Sequence, residues 1–126
     1  MPSAAQAVQA IQHLLSQGSL PPDLPEGFRA DAAFAQLSEQ IQGIQQFIQA
    51  LANGNLESDF RLRGRTAGTL KTLQANLRHI SWQAQRIAAG DLTQQVQFMG
   101  EFATAFNQMV ENLRQSREAL EQRAQE

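Results

Sequence analysis

Residues 88–113 read AAGDLTQQVQFMGEFATAFNQMVENL. Gly90 is placed to end a helix, because a residue without a Cβ readily takes the left-handed conformation common just past helix C-termini. After Gly100 the apolar residues return at helical spacing: Phe102, Phe106, Met109 and Leu113 are separated by steps of 4, 3 and 4. Between the two glycines stand Leu92, Val96 and Phe98, apolar residues that a solvated loop does not need. An antiparallel helix pair needs only about 2–5 linking residues. Extended chain rises about 3.3 Å per residue and a helix about 1.5 Å, so roughly a dozen extended residues can run back along a helix of about 20. The next helix then points the same way as the last. The connector's apolar side chains pack into the groove of the bundle.

The same arrangement recurs upstream. Shifted by 36 residues, Gly54, Asn55 and Leu56 fall on Gly90, Asp91 and Leu92, Phe60 and Leu62 fall on Val96 and Phe98, and Gly64 falls on Gly100. The flanking Leu70, Leu73, Asn76, Leu77 and Arg78 fall on Phe106, Met109, Asn112, Leu113 and Arg114. Two amphipathic helices can resemble each other by chance, but matching connectors identify an internal repeat.

Three helices therefore carry the fold. The first of them starts on Asp31 as N-cap and bears Phe34, Leu37, Ile41, Ile44, Ile48 and Leu51. The second bears Leu70, Leu73, Leu77, Ile80, Ala84 and Ile87, after a connector expected to run from Asn53 to Gly68. The third bears Phe102, Phe106, Met109, Leu113, Ser116 and Leu120. Alternating steps of 3 and 4 give the 3.5-residue period of a coiled-coil seam. Ahead of them, Val8, Ile11, Leu14 and Leu15 mark a short helix over residues 4–17, stopped by Gly18. The stretch GSLPPDLPEGF, with Pro21, Pro22 and Pro25, reads as a stiff irregular linker.

Composition narrows the function. The chain has 126 residues, 42% hydrophobic and 17% charged, with a net charge of −2. That is enough apolar content for a core, and no global drive toward nucleic acid or anionic membrane. Absence of Cys removes disulfides, thiolate metal sites and cysteine nucleophiles. No apolar run approaches the roughly 18 residues of a membrane span, and no signal peptide is recognisable. No phosphate-binding glycine loop, catalytic triad or metal-ligand spacing occurs, so no catalytic, cofactor or metal residue is assigned.

The stretch from Ala88 to Leu113 resembles the HAMP domain of bacterial signalling proteins. Gly90-Asp91-Leu92 is similar to the turn and first anchor of a HAMP connector, and Val96 or Phe98 to its second anchor. Gly100-Glu101-Phe102 resembles the acidic-then-apolar start of the second HAMP helix, and Phe106-Asn107-Gln108-Met109 matches the FNxM core. The upstream copy departs from the pattern, with Arg65 where Glu101 stands and Thr66 where Phe102 stands. The resemblance covers about residues 34–120. It implies an all-α fold of parallel coiled-coil four-helix-bundle units formed by homodimerisation, with the short N-terminal helix as an extra. Unpaired apolar stripes also call for a partner surface on their own account. The expected organisation is an N-terminal helix and linker over 1–30, a degenerate first HAMP-like unit over 31–80 and a second over 76–120 sharing the central helix. An output-connecting helix is expected to start within 114–126, where ALEQRAQE looks like a helix that continues.

The expected function is a cytoplasmic, non-enzymatic relay. It would pass a conformational change between an input and a C-terminal output domain, such as a GGDEF diguanylate cyclase domain or the histidine kinase of a two-component system. Leu70, Leu73, Leu77, Ile80, Ala84, Ile87, Phe106, Met109 and Leu113 form the expected relay core. Gly90, Leu92, Val96 and Phe98 anchor the connector. Glu101 is the expected helix-start clamp, favoured there by the positive helix terminus and, by the resemblance, bonded to the connector. The alternating Arg61, Arg63 and Arg65 are the feature of an alternative reading, a sensor for a small anion or nucleotide. A passive dimerisation coil is the third reading. His79 and Trp82 are expected to flank the seam, and His13 has no second ligand nearby.

Overall fold

The computed structural model describes residues 3–125. Five helices follow in order: α1 (Ala4–Gln17), α2 (Glu26–Ala30), α3 (Ala32–Ala52), α4 (Arg65–Ala88) and α5 (Gly100–Gln125). The described residues contain no strand, so the fold is all-α as expected. They group into two compact units divided between Lys71 and Thr72, inside α4.

In the first unit, α1 opens on a capping box. Gln6 N–H donates to the Ser3 hydroxyl, and the Gln6 side chain accepts from the Ser3 N–H. It ends at Gly18, whose φ of 82° lets its N–H reach Leu14 O. The Pro-rich stretch read as an irregular linker instead contains α2. Pro25 precedes the helix with a φ of −56°, which is compatible with a helix start, and Glu26 favours the first turn. The short helix exists because Phe28 is buried edge-on against Phe34, with ring centroids 5.2 Å apart. Ala10, Phe28 and Phe34 form one small core with Ala7, Ile11, Leu20 and Leu24 against it. Leu14 is fully buried, and Gln45 donates to its carbonyl at 3.0 Å. Phe34 was expected on the open seam, and the chain's own N-terminal helices cover it.

Asp31 caps α3 as expected, accepting from the Phe34 N–H at 2.9 Å. The helix closes with two return bonds, Gly54 N–H to Leu51 O and Asn55 N–H to Ala50 O, around Gly54 at φ 83°. The connector then runs back. Phe60 lies on Phe47, Leu62 approaches Gly43, and α4 starts beside Gln40 and Ile44. Thus α3 and the start of α4 point the same way. The connector is shorter than the expected Asn53–Gly68. Gly64, at φ 107°, makes the turn, and Gly68 already donates to Gly64 O inside the helix.

The second unit repeats this course. Gly90 N–H returns to Ile87 O and Asp91 N–H to Arg86 O, each 36 residues beyond its counterpart. The chain then passes Gln95 beside Gln83 and Phe98 beside His79, so it runs back along α4. From Gly100, α5 runs forward again, with Asn107 beside Val96 and Arg117 donating to Gly90 O at 2.9 Å. Along its outer length Glu111–Arg114 and Arg117–Glu121 pair at helical spacing.

Candidate connector cradle and relay face

Two apolar cores hold the two connectors, and they are built from equivalent positions. The first unites Phe47, Phe60 and Ala67, with Ile44, Leu51, Leu62 and Leu70 against them. The second unites Ile80, Val96 and Ala103, with Phe98, Met99 and Phe106 against them. Ile44/Ile80, Phe60/Val96, Leu62/Phe98, Ala67/Ala103 and Leu70/Phe106 are each 36 apart. The alanines matter physically. A small residue in the first turns of the following helix leaves room for the connector to lie close.

Polar geometry also repeats at the connector starts. Asn55 Oδ1 accepts from the Glu57 N–H, and Asp91 Oδ1 accepts from the Thr93 N–H, both at 3.1 Å. Each is a short side-chain turn that sends the chain back toward its helix. Asp91 carries more: the Thr93 hydroxyl and the Gln94 amide also donate to it, and Arg86 lies 3.8 Å away. The Thr93 hydroxyl first, then Gln94 and the Thr93 N–H, hold its carboxyl down at about 2; burial opposes them, and Arg86 adds the least of the lowering effects.

The connector centres differ. Asn107, inside the FNxM motif, accepts from the Val96 N–H at 2.7 Å and donates to Val96 O at 2.9 Å. Gln83, only 3% exposed, donates to Gln95 O at 2.8 Å, and its own carbonyl oxygen is buried without a partner. The sequence placed Asn107 in the FNxM core without giving it a contact, and gave Gln83 no role. The available signal was in the repeat itself, where Gln83 falls on Phe47 and Asn107 on Lys71.

The expected site residues separate into two groups. Leu92, Val96 and Ile80 are buried, and Phe98, Leu70, Leu77, Ile87 and Phe106 are half-buried. Both Val96 and Phe98, the two candidates for the second anchor, pack in the second core. Gly90 has a φ of 101°. Leu73, Ala84, Met109 and Leu113 are exposed. Leu37, Leu73 and Met109, spaced by 36, are 45%, 37% and 46% exposed. Equivalent large side chains on all three long helices thus stay in solvent within a single chain.

Glu101 lies exposed in the first turn of α5. Asn107 and Gln83 hold the connector's backbone. Arg61 pairs with Asp59 at 3.2 Å in full solvent, Arg63 borders a groove with Leu62 and Thr66, and Arg65 is the first residue of α4. The helix start breaks the extended alternation that would have aligned the three. His79 stacks on Trp82 with centroids 5.8 Å apart and tilts against Phe98 at 5.7 Å, on an exposed edge of the cradle. His13 Nδ1 lies 2.7 Å from Ser19 O. Among the described residues no group of three acidic or His side chains could hold a metal, and no helix is long and apolar enough to cross a membrane.

Residues 69–115 match the family model of the HAMP domain. This span takes in most of α4, the second connector and the larger part of α5. HAMP domains are non-catalytic signal-relay modules that work with output domains. No curated protein and no solved structure is matched by the chain.

Proposed function

We propose, from the HAMP match of residues 69–115, that this chain is a homodimeric relay of two tandem HAMP-like units. A change in packing imposed by an input passes along α4 and α5 to an output domain, a GGDEF or histidine kinase domain being the class the resemblance implies. The observation that carries the reading is the 36-residue recurrence of uncovered apolar side chains. Leu37, Leu73 and Met109 recur every 36 residues with 37–46% of their surface in water. Each is a seam position of a parallel coiled coil, where the knob needs a facing helix. A second copy supplies that helix by two-fold symmetry, turning each helix pair into a four-helix bundle.

Such a bundle relays when two packings differ by about a few kcal/mol or less. Small or polar seam positions, Ala84 and Ser116, keep the interface from becoming too stable to switch. The chain contains no Cys, so single Cys replacements report cleanly. Leu73→Cys, Leu77→Cys and Met109→Cys are expected to crosslink between subunits under mild oxidation, and the protein to size as a dimer. Absence of crosslinks from a protein that sizes as a monomer would overturn the dimeric relay.

A further inference from the structure

The two connectors share their backbone turns and their apolar ladder, yet different chemistry seats them. In the first, Phe47 is 2% exposed and stacks on Phe60 with centroids 4.4 Å apart and planes 18° from parallel. The Lys71 amine sits 6.0 Å from the same ring. In the second, Gln83 replaces Phe47, Val96 replaces Phe60 and Asn107 replaces Lys71. The stack is gone. Its place is taken by the Gln83 bond to Gln95 O and the paired bonds of Asn107 to Val96.

A second difference lies at the junction with the following helix. Met99 has a φ of 68° and Gly100 one of 47°, two successive left-handed residues. In the first unit only Gly64 of the corresponding pair is left-handed. A non-glycine residue held there stores strain that release of the connector relieves.

These features lower the stability of the seated connector relative to a displaced one. Hydrogen bonds to a peptide can be exchanged for bonds to water, whereas an aromatic stack has no such substitute. The Gln83 carbonyl oxygen, buried and unpaired, gains a partner in any arrangement that lets water in. We propose that the second connector, Leu92 to Met99, is the moving part of the molecule, with Gln83 and Asn107 as a reversible polar latch, while the Phe47–Phe60 stack holds the first connector in place. This deepens the relay reading and rests on it, because it names the unit whose two states the relay uses.

Methyl relaxation dispersion on the full chain tests the latch, since it reads microsecond-to-millisecond exchange directly. Exchange is expected at the Leu92, Val96 and Ile80 methyls and not at Leu56, Leu62 and Ile44. Gln83→Leu is expected to cut the exchange contribution at Val96 by about fivefold or more, by replacing an amide whose carbonyl oxygen is unpaired with apolar contact. Gln83→Met serves the same purpose with nearly the shape of glutamine. Phe47→Gln, the reverse exchange, is expected to bring dispersion to Leu62. Flat profiles at Val96, equal profiles in both connectors, or folded Gln83 variants with unchanged exchange would each overturn the latch. The two readings fail separately. A monomer with dispersion at Val96 supports the latch and removes the dimeric relay. A crosslinked dimer with flat profiles does the opposite.

Discussion

Asn107 holds the Val96 peptide by both its groups, accepting from the N–H at 2.7 Å and donating to the carbonyl at 2.9 Å. Val96 is 3% exposed, so while the connector is seated its peptide groups are shielded from water and depend on the Asn107 side chain. Each bond of this kind contributes about 1 kcal/mol net, and an unsatisfied buried peptide group costs about 1–3 kcal/mol. Asn107→Ala is therefore expected to lower unfolding free energy by about 2 kcal/mol, measured by urea unfolding at fixed protein concentration. A loss below about 0.5 kcal/mol would mean that these bonds contribute little to the seating of the connector.

The first connector should respond differently to truncation. Phe47 is buried against Phe60 in a stacked pair. Phe47→Ala removes a large side chain and leaves a cavity, for an expected cost of about 3–5 kcal/mol. Gln83→Ala, at the equivalent position, gives up one hydrogen bond but also removes an unpaired buried oxygen, so its expected cost is about 1 kcal/mol. Parallel denaturation of the two variants checks the contrast. Equal losses would show that the two cradles are seated with similar strength.

The three long helices, and within each unit the common direction of the two helices that a connector joins, were legible because they depend on the spacing of apolar residues. Steps of 3 and 4 placed the seam of α3, α4 and α5, and the patterned connectors made antiparallel hairpins implausible. Periodicity does not say what covers an apolar residue, so Phe34 read as open seam although Phe28 and Ala10 enclose it. The five-residue α2 was hidden among prolines because a single buried aromatic, Phe28, stabilises it, not a repeating stripe. The latch was hidden for another reason. Glutamine is ordinary on a solvated helix, and nothing in Gln83 itself marks it as turned inward. Only its alignment with Phe47 does so.

Two glycines give opposite predictions. Gly90 sits at φ 101° with open space where a Cβ would go, so the backbone conformation alone opposes substitution. Gly90→Ala is expected to destabilise by about 1 kcal/mol. Gly68 lies inside α4, where a Cβ would also meet nothing and the backbone angle is ordinary. There alanine improves helix propensity and restricts the unfolded chain, for an expected gain of about 0.5–1 kcal/mol. Thermal unfolding of the pair checks both signs, and a destabilised Gly68→Ala would indicate that this face of α4 meets a close neighbour.

Asp91 gives the chain a titration that its counterpart Asn55 cannot show. The Thr93 hydroxyl, the Gln94 amide, the Thr93 N–H and Arg86, in falling order, bring its pKa from the usual 3.8 to about 2. Because the folded value is depressed, the unfolded chain binds more protons between the two values. The contribution of this turn to stability is present above the unfolded value and is lost as pH falls toward about 2. Carboxyl chemical shifts followed from neutral pH downward are expected to give Asp91 a midpoint of about 2. Thr93→Ala keeps the backbone donor but removes the hydroxyl, and should move the midpoint up more than Arg86→Gln, whose guanidinium is half exposed and 3.8 Å away. If Arg86→Gln moves it further, the charge pair controls this turn and the hydroxyl bond is secondary.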